Sequence, residues 1–194
     1  MREIITTRRQ TLAGLLASCA GLAIGFGSQE AQASSIISPL KKMIEGSTAY
    51  QSDKVIELIN EKGEESTLDS YQGRFVLVNV WATWCFSCRQ EMPDLDALQG
   101  KFDPEKLLVM PISVDRKGID AVMPFYDRTN IKHLPIFLGS GMQAITTFGE
   151  RGIPFSILLD PEGKEFGRIL GPVKWDAEDF IAYLQDKIDH WKPA

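Results

Sequence analysis

This chain of 194 residues predicts a layered α/β fold with a mixed central β-sheet, on three observations. Phe75 to Trp81 is an almost unbroken apolar, β-branched run, the mark of a strand buried on both faces of a parallel sheet. After it, strand candidates alternate with stretches of helical periodicity, the order that builds an α/β layer. Near the end, two apolar runs flank Asp160-Pro161-Glu162-Gly163, whose proline at the second position and glycine at the fourth suit a type I turn. That terminal hairpin makes the sheet mixed.

Residues 1–33 read as an address. Arg2, Arg8 and Arg9 precede a charge-free apolar run from Thr11 to Gly27, and Ala31-Gln32-Ala33 has the small-x-small form that a signal peptidase accepts. Thr7-Arg8-Arg9-Gln10-Thr11-Leu12 resembles a twin-arginine export signal, with Thr11 where an aromatic is usual. The run is about 17 residues, the lower edge of what spans the hydrocarbon core, so a retained membrane anchor is the first alternative. Lipidation at Cys19, after Leu16-Ala17-Ser18, is the second, although apolar sequence continues beyond it to Phe26. All three readings put the domain outside the cytoplasm.

Residues 34–52 read as a lead-in segment or short helix, and 53–194 as the domain. Val55 to Leu58 suggests a first strand, and Leu68 to Gly73 a helical turn closed by glycine. Cys85 to Gly100 sets Phe86, Met92, Leu95 and Leu98 on roughly one side of a helix, with Pro93 expected to kink it. Leu107 to Val114 reads as the next strand despite Pro111, and Ile119 to Thr129 as a helix. Ile136 to Leu138 is a short strand, Met142 to Phe148 a short helix, and Phe155 to Leu159 and Glu165 to Leu170 are the hairpin strands. The last helix is expected to start at Asp176, with Asp176 and Asp179 imitating a capping box and Phe180, Ile181, Leu184 and Ile188 on one stripe.

Composition narrows the function. With 44% hydrophobic and 24% charged residues the chain is an ordinary globular protein, and a net charge of −5 gives no basic field for nucleic acid. Three cysteines and two histidines are too few for a disulfide-dense scaffold or for paired zinc knuckles. Residue 89 is arginine, so the c-type haem motif CxxCH is absent. What remains is Trp84-Cys85-Phe86-Ser87-Cys88, at the junction where the buried strand ends and a helix begins. Unpaired backbone N–H groups and the positive helix end favour the thiolate of Cys85, and Cys88 lies one turn inside. Cys88 is placed to attack a mixed disulfide on Cys85, and too deep to compete for substrate.

The segment Phe75-Val-Leu-Val-Asn-Val-Trp-Ala-Thr-Trp-Cys-Phe-Ser-Cys-Arg-Gln-Glu-Met-Pro93 closely resembles the active-site segment of the thioredoxin superfamily, in particular the membrane-tethered or periplasmic reductases of the TlpA and ResA type. The resemblance continues through Ile112-Ser113-Val114-Asp115, His133-Leu134-Pro135, Gly152-Ile153-Pro154 and Gly171-Pro172-Val173-Lys174-Trp175, covering about residues 53 to 190. It implies a thioredoxin-like fold, Cys85 as nucleophile, Cys88 as resolving thiol and Pro154 as a cis-proline facing the pair. A cis Ile153-Pro154 bond would present an open backbone edge to a substrate strand; Pro135 is the competing proline. Trp84, Phe86, Ser87 and Ile153 are the residues expected to touch substrate.

Asn79 stands where thioredoxins proper carry a buried aspartate, a substitution familiar in the TlpA and ResA branch; its plain reading is a core amide bonded to backbone. Glu91, three residues beyond Cys88, is then the nearest carboxylate and a candidate proton acceptor, with a solvated helix face as its other reading. Arg89 has the same two readings, as positive potential near the thiolate or as surface charge.

The resemblance implies a protein thiol-disulfide oxidoreductase that needs no cofactor and no metal. Its expected substrates are protein disulfides reduced ahead of haem or copper insertion, in cytochrome c or cytochrome oxidase assembly. The expected place is the periplasm, with an upstream membrane thiol donor and an N-terminal tether as possible partners. The alternatives are a disulfide oxidase or isomerase of exported proteins, and a copper chaperone using both thiolates and His133, which lies 45 residues after Cys88. A peroxidase of the peroxiredoxin kind would want a proline and a threonine upstream of the nucleophile in a different arrangement.

Overall fold

Phe75–Trp81 forms a strand in which every residue is buried, between the strands Leu107–Ser113 and Phe155–Leu159 at the centre of the sheet. The computed structural model describes residues 37–45 and 55–193. The export reading of residues 1–33, and most of the lead-in 34–52, lie outside the described residues. No helix among the described residues is long and apolar enough to cross a membrane.

In chain order the strands are β1 (Ile44–Glu45), β2 (Glu57–Asn60), β3 (Glu65–Thr67), β4 (Phe75–Trp81), β5 (Leu107–Ser113), β6 (Phe137–Leu138), β7 (Phe155–Leu159) and β8 (Glu165–Leu170). The helices are α1 (Phe86–Gln99), α2 (Ile119–Thr129), α3 (Gly141–Phe148) and α4 (Glu178–His190). They build one mixed sheet in the order β1-β8-β7-β4-β5-β6-β2-β3, with β4, β5 and β6 parallel and β7 and β8 a terminal antiparallel hairpin. The α/β architecture expected from the sequence is the one observed.

Alternation along β4 divides the core. Phe75, Leu77 and Trp81 pack with Met92, Leu95 and Leu98 of α1, with Val122 and Phe125 of α2, and with Phe180 and Leu184 of α4. Val76, Val78 and Val80 turn to the opposite face, against Ala144 and Phe148 of α3. Asn79 has the parity of the first set and so faces the α1 and α4 layer. A single position in the strand thus decides which helices can supply its partners.

Pro111 is tolerated inside β5 for a local reason. Val114 N–H bonds the Trp81 carbonyl and Ser113 O accepts from Gly139, so the odd-numbered residues of β5 point away from β4. On that side β6 begins only opposite Ile112, so no ladder bond is lost at Pro111. One step earlier the gap is filled by a side chain: Val109 N–H donates to Gln99 Oε1 at 2.6 Å.

Several boundaries differ from expectation. The first predicted strand is displaced to Glu57–Asn60 and pairs with β3, a three-residue strand without readable periodicity, around Gly63 at φ +79°. The lead-in contributes a 3-10 turn at Pro39–Lys41 and the two-residue β1, which pairs with β8. Pro93 does not interrupt α1, which runs through it as one element. The expected capping box of α4 does not form: Ala177 is the N-cap, Asp176 takes the Lys174 ammonium at 2.7 Å, and Asp179 Oδ1 accepts from Ser38 Oγ at 2.8 Å. Asp179 Oδ1 also accepts from the adjacent Phe180 N–H at 2.9 Å, so it is shared between the helix start and Ser38.

Candidate active site

Where β4 ends, the chain is pinned before it enters α1. Asp115 accepts from the backbone N–H of Thr83 at 2.8 Å and from its hydroxyl at 2.7 Å, and Ser113 Oγ donates to the same carboxylate at 2.9 Å. Cys85 N–H then closes a turn on Ala82 O, and Cys85 becomes the N-cap of α1. Its sulfur accepts from Cys88 N–H at 3.2 Å, occupying the position that a serine or aspartate oxygen takes in other helices. Cys85 and Cys88 are joined as a disulfide with their Cα atoms 5.3 Å apart.

The two sulfurs differ in access. Cys88 has no exposed surface and Cys85 is 8% exposed, while Trp84 and Phe86 beside it are each 67% exposed. Ser87 Oγ lies 3.5 Å from the Cys85 sulfur. Across the cleft the Ile153 carbonyl oxygen approaches the same sulfur to 3.8 Å, and Ile153-Pro154 is cis, the one cis peptide among the described residues. Pro135 is an ordinary trans proline whose carbonyl accepts from the Tyr126 hydroxyl. Arg89 turns outward and lays its guanidinium 5.8 Å from the centre of the Phe86 ring.

Glu91 is fully buried, which overturns its reading as a solvated helix charge. Its Oε1 accepts from Asn79 Nδ2 at 2.8 Å and its Oε2 from Trp175 Nε1 at 3.0 Å. Burial pushes this carboxyl up to about 7, against the hydrogen bonds from Asn79, Trp175 and the Val173 backbone that lower it; Asp94 adds a small push upward. Asn79 Nδ2 also reaches Ser156 Oγ at 2.9 Å, so its amide bonds side chains where a backbone partner was expected. The result is a buried polar network one helical turn behind Cys88, held by neutral donors, in which Asn79 Oδ1 has no hydrogen-bond partner among the described residues.

Sequence reasoning did not single out Ser156, Trp175 or Asp115. Ser156 stands opposite Asn79 in the β4–β7 ladder, and strand pairing was its only signal. Trp175 and Asp115 both lie in segments that carry the family resemblance.

Chemically, the arrangement suits exchange between a surface-side thiolate and a disulfide, with a buried acid three residues, about one helical turn, beyond the second cysteine. It does not suit a thiolate–imidazole copper site. His133 packs on Gly100, where an added Cβ would meet its ring at 3.0 Å, and Gly100 caps the far end of α1. The helix length separates that end from Cys85 by about 20 Å. Among the described residues no three His, Cys, Asp or Glu side chains cluster as metal ligands.

Comparison with known proteins agrees with this geometry. Thiol-disulfide oxidoreductase ResA of Bacillus thuringiensis (strain Al Hakam) is 31% identical over 110 residues, which is 57% of this chain and 62% of that protein. The match therefore spans less than two thirds of that relative's length. The thioredoxin domain of a thiol-disulfide oxidoreductase from Bacteroides vulgatus superposes with a TM-score of 0.60 at 24% identity, covering 75% of this chain and 98% of that one. The pneumococcal exposed lipoprotein thioredoxin of Streptococcus pneumoniae strain TIGR4 superposes with a TM-score of 0.56 at 26% identity, over 68% of this chain and 98% of its own. The fold is thioredoxin-like. The AhpC/TSA family model matches residues 52–170, well over half of the sequence, and the chain belongs to the AhpC/TSA family.

Proposed function

We propose that this protein is a dithiol reductase of protein disulfides, working in the periplasm to keep cysteines reduced for haem attachment or for the copper site of cytochrome oxidase. The observation that carries the reading is the Cys85–Cys88 bridge at the mouth of α1, backed by a buried Glu91 that titrates near neutrality. The ResA relative, named a thiol-disulfide oxidoreductase, supports the same chemistry.

In the reduced state the Cys85 thiolate is favoured by the Cys88 N–H and by the amino end of α1. It attacks one sulfur of a substrate disulfide, and the other sulfur leaves as a thiolate that takes a proton. The mixed disulfide is held against the Ile153 carbonyl edge beside cis-Pro154, between Trp84 and Phe86, with Ser87 next to the sulfur. Cys88 then gives up its proton, with Glu91 as the nearest buried acceptor, and attacks the Cys85 sulfur. The second substrate thiol departs and the Cys85–Cys88 bridge closes, so two electrons pass from protein to substrate. An upstream membrane thiol donor restores the dithiol, and the N-terminal segment serves as export signal or tether.

The test pairs trapping with a potential. In periplasmic extract, Cys88→Ser is expected to accumulate covalent mixed disulfides and Cys85→Ser none; equal trapping by both would reverse the roles. The Cys85–Cys88 couple is expected near the thioredoxin end of the scale, about −250 mV. A value near the oxidising end, about −120 mV, would make the protein an oxidase or isomerase of exported proteins.

A further inference from the structure

Two clefts open on either side of the exposed Trp84. The smaller, about 420 Å³, is mostly apolar, with Arg151 as its one charged residue, runs between Ile145 and Ile153, and belongs to the substrate edge already described. The larger, about 660 Å³, is bounded by Thr83 and Trp84 and by Arg116, Lys117, Asp120 and Arg128. On a chain with a net charge of −5 this concentration of cations stands out. All three are exposed, and among the described residues none of them takes part in an ion pair. The cleft holds two carboxylates, but Asp115 is turned to Thr83 and Ser113, leaving Asp120 as the one facing the cations. The amino end of α2 adds partial positive charge to the same wall.

We propose that this cleft receives an acidic stretch of the polypeptide whose disulfide is exchanged, so that preferred substrates carry Asp or Glu within a few residues of the reacting cysteine. The inference rests on the oxidoreductase reading and names the substrate class for it. Trp84 is the shared wall of both clefts and the neighbour of Cys85, so a chain lying over the sulfur passes from one to the other. An extended chain advances about 3.3 Å per residue, which brings side chains only a few positions from the cysteine over the cations. The net charge of −5 disfavours such a segment on the protein as a whole, whereas the three cations of this cleft attract it.

The experiment uses the full chain, chemically reduced, in single-turnover exchange with three peptide disulfides of equal length, whose cysteine is flanked by Asp, Ser or Lys. The protein dithiol supplies two electrons, its bridge closes, and the peptide leaves as two thiols, whose appearance is timed. The Asp peptide is expected to react about tenfold faster than the Ser peptide at low ionic strength, the advantage vanishing near about 0.5 M salt. In the combined variant Arg116→Ser, Lys117→Ser, Arg128→Ser the Asp-to-Ser ratio is expected to fall below about two. In a charge-matched variant on other surfaces, Lys62→Ser, Lys101→Ser, Lys132→Ser, the ratio is expected to stay. Turnover with no acidic preference, a preference for Lys, or an equal fall in both variants would overturn the role of the cleft alone. No turnover of any peptide would overturn the oxidoreductase reading itself, and the cleft's role with it.

Discussion

Two buried carboxylates in this fold are held in opposite ways. Glu165 on β8 meets a guanidinium: Arg168 Nε and Nη2 donate to its two oxygens at 2.8 Å each. The same arginine reaches the Glu150 carboxylate and the Phe148 carbonyl, tying the end of α3 to the sheet. Glu91 meets only neutral donors, an amide, an indole and a backbone N–H, with no cation among the groups that act on it. A carboxylate with a fixed counter-charge is a strut, whereas one surrounded by neutral donors is a place where a proton can rest and leave near neutral pH. The strut braces the segment that leads into Ile153; the titratable carboxyl lies one helical turn behind Cys88.

The largest effect is expected from breaking the strut. Arg168→Met takes the counter-charge away from buried carboxylates and should lower unfolding free energy by about 3–5 kcal/mol in urea. The pH dependence of exchange should keep its inflection near 7 in that variant; an altered inflection would mean the two regions are not separable.

Glu91→Gln comes next. Between the ordinary carboxylate value of 4.5 and about 7, the folded chain keeps a proton that the unfolded chain has released, so stability falls as pH rises through that window. The fall is on the order of 3 kcal/mol, and the Gln variant should lose that slope in denaturation series across the same pH range. Its resolving step at pH 8 should slow by about 100-fold and lose its inflection near 7, as expected on losing a general base. An unchanged profile would return Glu91 to a packing role.

The smallest effects are expected in a pair of opposite sign. Trp175→Phe deletes a hydrogen bond that lowers the Glu91 value, so the inflection should move up; Asp94→Asn deletes a repulsion that raises it, so the inflection should move down. Each should change the rate at pH 7 by less than about tenfold. Movement in the same direction would mean that the network responds to disruption and not to charge.

The same contrast explains what could be read from the sequence. β4, α2, β7 and β8 were legible because long apolar runs, a helical period and a proline–glycine turn are local signals. β1 and β3, of two and three residues, have no period, and the start of α4 differs because Asp176 is held by Lys174 and Asp179 is shared between Phe180 N–H and Ser38, 141 residues away. Cys85 and Cys88 were legible for the same local reason, since their chemistry lies in their spacing and in the strand-to-helix junction. The environment of Glu91 was not, because its burial and its donors come from Trp175, 84 residues on, and from an amide oriented by Ser156, 77 residues from Asn79. Spacing put Glu91 one turn behind Cys88; only the folded chain closes a lid of indole over it.

The sulfur of Cys85 has two employments, as helix cap and as proposed nucleophile. Serine is among the best residues for the first and useless for the second, because its hydroxyl stays protonated where a thiol ionises. Exchanging one atom, sulfur for oxygen, therefore retires the chemistry and leaves the helix start intact. A lineage that no longer needed the reaction would pass through no unstable intermediate in abandoning it. Silent descendants of this fold are then to be sought with serine at the cap and the remainder of the helix unchanged.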